Sequence, residues 1–189
     1  MTWIAAVSPE QAGAELAPVY ARIAAQSRSG RVSNLWRAWG GDASGLATLH
    51  AHYTALMAEP APLSAAQVEM IAVVVSATNG CGYCVAHHGP RLSRIVGDEL
   101  AHAVSQDYRE ANLAARDRVL LDYAVALTCE PAERTRADVE RVREYGFDDD
   151  AVLKATEVTA LYNLVNRVVS ALGVTLEDGL ERWEYGAQK

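Results

Sequence analysis

The segment from Ser64 to Asn79 constrains this chain more than any other. Ser64-Ala65-Ala66-Gln67 has the form of a capping box, in which the serine hydroxyl and glutamine amide satisfy free N–H groups at a helix start. Val68, Ile71, Ala72, Val75 and Ser76 follow at helical spacing and can share a core-facing side. Val74 and its neighbouring valines occupy the other side, so the helix is apolar nearly all round and is expected to be central and buried. Asn79-Gly80 closes it in the manner of a left-handed C-terminal cap. Glu69 stands out here, because a carboxylate on a buried helix needs a partner or a raised pKa.

A helix that is apolar on every side needs partners, and the remaining sequence offers them. Apolar residues recur at spacings of three and four, and no alternating stretch argues for a sheet, so the chain is expected to be all-α. A first helix begins at Ser8-Pro9-Glu10-Gln11 and ends at Ser27-Arg28-Ser29-Gly30, with Pro18 splitting or kinking it. Asn34 is a plausible cap for a short helix to Trp39, and Asp42 starts another to about Met57. His50 and His52 are two apart and point away from each other, which suits surface or interface roles. After Asn79-Gly80 a new helix starts at or near Cys81, with a kink or short break expected at Gly89-Pro90 and helix again to Val96. Further helices are expected over 98–105, 112–128, from Thr135 to Gly146, and from Asp148 to Leu172. In the last of these Val158, Leu161, Leu164, Val165, Val168 and Leu172 form the apolar face. A tail with Trp183 and Tyr185 ends the chain. The whole, 1–189, is expected to be one helical domain around a core motif at 64–96.

Composition excludes several classes. Of 189 residues, 50% are hydrophobic and 22% charged, an ordinary globular balance. The net charge is −7 with no Lys/Arg block, which argues against a nucleic-acid partner. The start lacks a basic n-region, and no apolar run approaches membrane-spanning length, so a cytoplasmic protein without membrane contact is expected. Three cysteines are too few, and odd in number, for a secreted disulfide scaffold. Cys129 has no Cys or His nearby in sequence and is expected to be a packing residue.

The other two cysteines form Cys81-Gly82-Tyr83-Cys84, followed by His87 and His88. On a helix Cys81, Cys84 and His88 share one face, and His87 points elsewhere. Both thiols fall in a first helical turn, where the positive end of the macrodipole lowers thiol pKa. An imidazole one turn on can take a proton, and Glu69 on the preceding helix can orient it or carry the proton onward. Three chemistries fit these residues. The first is a redox dithiol, in which one thiolate attacks a peroxide and the other thiol resolves the sulfenic acid. The second is a zinc site on the thiols and one or both histidines, although ligands crowded onto one helix give poor tetrahedral geometry. The third is a structural pair without chemistry, for which Glu69 and the in-phase His88 have no use.

The spacing Glu69, eleven residues, Cys81-x-x-Cys84, three residues, His88 resembles the active-site motif of the alkylhydroperoxidase D-like branch of the carboxymuconolactone decarboxylase superfamily. Met70 to Ala77, Ala86-His87-His88-Gly89, Leu121-Asp122-Tyr123-Ala124 and Tyr162-Asn163-Leu164-Val165-Asn166-Arg167 are similar to its uncharacterised peroxidase-related members. The resemblance implies a compact all-α fold that oligomerises through helical contacts as a trimer or hexamer. It implies a thiol-dependent hydroperoxide reductase that needs no cofactor or metal. Cys84 would be the attacking thiol, Cys81 the resolving one, His88 the proton relay and Glu69 the distal base. The partners implied are a hydroperoxide and an external thiol reductant. Tyr83 stands where the best-known members place a histidine, and with His87 it is a secondary site residue. The alternative is a non-enzymatic or zinc-binding module of the same fold.

Overall fold

The computed structural model describes residues 2–188, which form nine α-helices and two short 3-10 turns, with no strand among the described residues. The helices are α1 (Leu16–Gln26), α2 (Asn34–Ala38), α3 (Ala43–Met57), α4 (Ala65–Thr78), α5 (Gly82–Val96), α6 (Asp98–Asp107), α7 (Ala115–Cys129), α8 (Arg136–Glu144) and α9 (Asp149–Leu172). They fall into two compact units. One comprises residues up to Ala55 with Val168–Leu180; the other comprises Leu56–Arg167 with the chain from Glu181 onward.

In the first unit, the expected long first helix is divided. A 3-10 turn at Pro9–Gln11 carries the Ser8/Gln11 capping box, and α1 begins only at Leu16. Pro18 therefore lies in the first turn of α1, where its missing N–H has no intrahelical partner to lose. Ser33 rather than Asn34 caps α2; the Asn34 amide instead donates to the Thr175 carbonyl at 3.0 Å. His50 is a correction: it is buried, with its ring 5.2 Å from Trp36 and edge-on to it. Burial lowers its pKa, with Arg22 adding to the effect. His52 is exposed, as expected.

The second unit is built around α4. Val68 and every residue from Met70 to Thr78 are buried, which fulfils the all-round apolar pattern. Each such Val or Ile contributes on the order of 1.5–3 kcal/mol by leaving water. The Ser64/Gln67 capping box forms at its start. At its end Gly80 adopts φ 69°, the Gly80 N–H donates to the Ala77 carbonyl, and the Cys81 N–H donates to the Ser76 carbonyl at 2.8 Å. This is a Schellman cap, and it seats Cys81 as the N-cap of α5.

Other boundaries also have local causes. The Thr135/Asp138 capping box starts α8, and Gly146 at φ 85° follows its end. Asp148 caps α9 by accepting from the Ala151 N–H. The α7 helix begins at Ala115, three residues later than the pattern suggested. The expected break at Pro90 does not occur, and α5 runs through it. A proline inside a helix loses one N–H bond and crowds both the carbonyl four residues back and the residue before it; Gly89, with no Cβ, relieves part of that crowding. Two packing expectations fail. Leu164 is exposed on α9, and Cys129 is exposed at the last residue of α7, where no neighbouring element covers it.

The tail folds back on its own unit. The Trp183 ring stacks on His102, with centroids 4.1 Å apart, and its Nε1–H donates to Ser105 Oγ at 2.8 Å. The Tyr185 hydroxyl donates to the Gly80 carbonyl at 3.1 Å. Gln188 is fully buried, and its amide donates to the carbonyls of Val104 and Ser105. Two glycines of α5 make room for this strap. A Cβ on Gly89 would lie 2.6 Å from the Trp183 ring, and one on Gly82 would lie 3.3 Å from Tyr185.

Gly89→Ala should therefore destabilise the protein by about 1–3 kcal/mol through overpacking. Gly80→Ala, which meets no atom within 4 Å, should cost about 1–2 kcal/mol from the left-handed backbone alone. Denaturant unfolding with intrinsic tryptophan fluorescence checks both. An unchanged Gly89→Ala midpoint would mean that the strap does not press on α5.

Candidate active site

All four predicted site residues lie in the second unit, on α4 and α5, and the Gly80 turn runs these helices antiparallel. Two layers result. In the inner layer α5 presents Cys81 and Cys84, both free and both buried. Asn166 from α9 faces both, and Ser76 from α4 faces Cys84. In the second layer, about one helical turn along α5, His88 meets Glu69 from α4 and Tyr162 from α9. His88 Nδ1 lies 2.6 Å from Glu69 Oε2, and Nε2 lies 2.9 Å from the Tyr162 hydroxyl. The spacing explains the layering: Glu69 and Ser76 are seven apart, Cys84 and His88 four apart, and Tyr162 and Asn166 four apart.

The two sulfurs shift each other's protons in opposite directions. The Cys81 thiol is lowered, first by the hydrogen bond that the Cys84 S–H offers it, against burial, then by the backbone N–H of Cys84, Asn166 and the backbone N–H of Tyr83. Cys84 is pushed well up, because its proton serves Cys81, because it is buried, and because the charge on Cys81 repels a second one. Asn166 and Ser76 act in the opposite direction on Cys84. Of the two, Cys81 is the sulfur that gives up its proton more readily. The resemblance assigns attack to Cys84, whereas the thiol that is lowered is its neighbour Cys81.

His88 is held differently from the simplest expectation. Both ring nitrogens have partners, and neither partner is a sulfur. With the Glu69 carboxylate accepting at Nδ1–H, Nε2 is free to accept the Tyr162 O–H. The Tyr162 ring stands edge-on to the imidazole, with centroids 4.9 Å apart. Burial lowers the His88 pKa, with Glu69 opposing it. The Glu69 side chain keeps 13% of its exposure, so this chain of groups runs from the margin of the fold inward. His87 and Tyr83 pair with each other at 4.6 Å between ring centroids.

Sequence reasoning missed Ser76, Tyr162 and Asn166 as site residues. Ser76 was read only as core-facing, and the other two lie on a helix whose pattern names its apolar face and not its polar exceptions. Their signal was a buried-helix position occupied by a polar side chain, the argument already applied to Glu69. Among the described residues no group of three or more His, Cys, Asp or Glu side chains is arranged to hold a metal ion. Nor is any helix among them long and apolar enough to cross a membrane.

Comparison with known proteins agrees with this architecture. Residues 45–95 match the carboxymuconolactone decarboxylase family. A solved structure of an uncharacterised peroxidase-related protein from Silicibacter sp. TM1040 is 33% identical with a TM-score of 0.84, covering 95% of this chain and 93% of that one. An uncharacterised peroxidase-related protein with an alkylhydroperoxidase AhpD core, from Ralstonia eutropha JMP134, is 27% identical with a TM-score of 0.84, covering 95% and 94%. A debrominase solved with 2,3,4-tribromopyrrole shares the fold at 17% identity and a TM-score of 0.78, covering 94% and 93%. No curated protein matches. The chain thus belongs to the carboxymuconolactone decarboxylase superfamily, in its alkylhydroperoxidase D-like branch.

The buried imidazole sets a pH dependence. An unfolded histidine takes a proton near pH 6.5, whereas buried His88 takes it at lower pH. As pH falls below about 6.5 the unfolded chain binds the proton first, so stability is lost on acidification. His50 acts in the same direction. Unfolding midpoints should fall between about pH 7 and pH 5, and His88→Gln should flatten that fall. A slope unchanged by His88→Gln would show that His88 is not its source.

Proposed function

We propose that the protein is a thiol-dependent hydroperoxide reductase acting through the Cys81–Cys84 dithiol. The observation that carries this reading is a pair of free, buried thiols in the first turn of α5, the Cys81 thiol lowered by its neighbour Cys84. Only a thiolate attacks the O–O bond efficiently, and a neighbouring thiol is needed to resolve the product.

The pair loses one proton, and the charge rests on Cys81. A shift of the bridging proton from Cys84 to Cys81 transfers the charge to Cys84, where Ser76 and Asn166 stabilise it. Cys84 forms an S–O bond to the peroxide as the O–O bond breaks, which oxidises sulfur by two electrons. The departing alkoxide takes a proton and leaves as the alcohol. The Cys81 sulfur then displaces water from the Cys84 sulfenic acid and closes the disulfide. An external thiol reductant restores both thiols by exchange.

In this reading the Glu69–His88–Tyr162 chain accepts the proton that the pair loses and returns it to the leaving oxygen. The likeness to two peroxidase-related proteins supports the class of reaction, and the burial of both sulfurs suits a small oxidant. A homo-oligomer, trimer or hexamer, and a cytoplasmic setting belong to the same proposal.

Cys84→Ser should abolish peroxide consumption in the presence of a dithiol reductant. Turnover equal to the parent would overturn the assignment. Glu69→Gln should lower the rate by roughly 10²-fold while the unfolding midpoint stays within reach of the parent's. An unchanged rate would make Glu69 structural.

A further inference from the structure

The Asn79, Asn166 and Ser76 side chains form a directed series of donors. Asn79, the C-cap of α4, donates from Nδ2 to Asn166 Oδ1 at 3.0 Å and to Asn163 Oδ1 at 3.1 Å. These bonds fix which way the buried Asn166 amide points. Its Nδ2 in turn donates to Ser76 Oγ at 3.1 Å. An amide nitrogen has two hydrogens, so one remains beyond the bond to Ser76, and Asn166 faces both sulfurs. Ser76 Oγ accepts from Asn166, which leaves its own O–H to donate, and it faces Cys84. Asn166 is 1% exposed and Ser76 fully buried, so water does not compete for these donors. In so dry a setting, successive hydrogen bonds polarise one another.

We propose that Asn166 is a catalytic residue, the donor that carries the dithiol's negative charge on either sulfur, with Asn79 orienting its amide and Ser76 relaying a second donor to Cys84. The proposal deepens the reductase reading and rests on it. It explains how the charge can pass from Cys81 to Cys84 at low cost: Asn166 faces both ends of the shift, and Ser76 adds a donor at the end where attack occurs. No charged partner is needed at either sulfur. The charged and titratable groups of the adjoining layer, Glu69 on α4, His88 on α5 and Tyr162 on α9, bond one another. From the strap, the Tyr185 hydroxyl donates to the Gly80 carbonyl. The neutral amide therefore takes the role that a cationic side chain fills in other activated thiols.

The test reads the thiolate without peroxide. In a Cys129→Ser background, which removes the exposed third thiol, the rate of iodoacetamide alkylation at Cys81 and Cys84 is followed against pH, with the modified site mapped by mass spectrometry. Asn166→Ala should move the midpoint of the profile upward and slow alkylation at neutral pH by about tenfold, the effect of one lost hydrogen bond to a charged group. Asn166→Asp keeps the shape and the acceptor for Asn79 but replaces the donor with a carboxylate, so it should move the midpoint further. If Asn166→Ala does not fold, Asn166→Asp decides alone. A profile unchanged from the parent in either folded variant overturns the proposal, because a merely structural asparagine would alter the unfolding midpoint and not the thiol titration. A parent that consumes no peroxide would sink the reductase reading separately, since alkylation does not depend on it.

Discussion

The turn at Asn79-Gly80-Cys81 is the constraint on which the functional architecture depends. One glycine in the left-handed region lets the Cys81 N–H bond back to the Ser76 carbonyl, and only Gly80 separates the C-cap of α4 from the N-cap of α5. Because the reversal is so tight, α4 and α5 lie antiparallel in contact, and residues far apart along them meet in pairs. Glu69 faces His88, and Ser76 faces Cys84. The same turn makes Cys81 an N-cap, so the backbone donors of the next helix point toward its sulfur. A longer connection would leave both thiols on α5 and lose the partners that α4 supplies.

The α9 helix completes each layer from a remote part of the chain. Tyr162 holds the imidazole at the ring nitrogen that Glu69 leaves open, and Asn166, set by Asn79, donates to Ser76 beside the thiols. Burial gives these contacts their strength and also makes each one necessary. A polar group in a dry site that loses its partner pays its full desolvation cost. The polar side chains on otherwise apolar helices thus form two hydrogen-bonded groups, stacked one above the other by helical spacing.

Much of this was legible in the sequence, because its causes are local. The capping boxes at Ser64/Gln67 and Thr135/Asp138, the glycines at 80 and 146, and the apolar α4 mark helices by rules that need only neighbouring residues. The phase of Cys81, Cys84 and His88 on one face of α5 follows from the helical period. What escaped is non-local. Periodicity says which face of a helix is buried but not what it is buried against, so the sequence left Tyr162 and Asn166 without roles and placed buried His50 at the surface. Pro90 was read as a break because the relief afforded by Gly89 and the strap packed on it lie outside the proline rule. The strap itself has no periodic signal; its determinants are single contacts of Trp183, Tyr185 and Gln188.

The central claim is that Cys81 and Cys84 act as one redox unit. The most direct measurement is a count of free thiols in the denatured protein before and after one equivalent of hydroperoxide, with the bridge mapped by mass spectrometry. The reduced chain has three cysteines. The account predicts that two thiols disappear together into a Cys81–Cys84 disulfide, that Cys129 stays free, and that an added dithiol restores all three. Three thiols persisting beside unconsumed peroxide, or oxidation confined to Cys129, would contradict it.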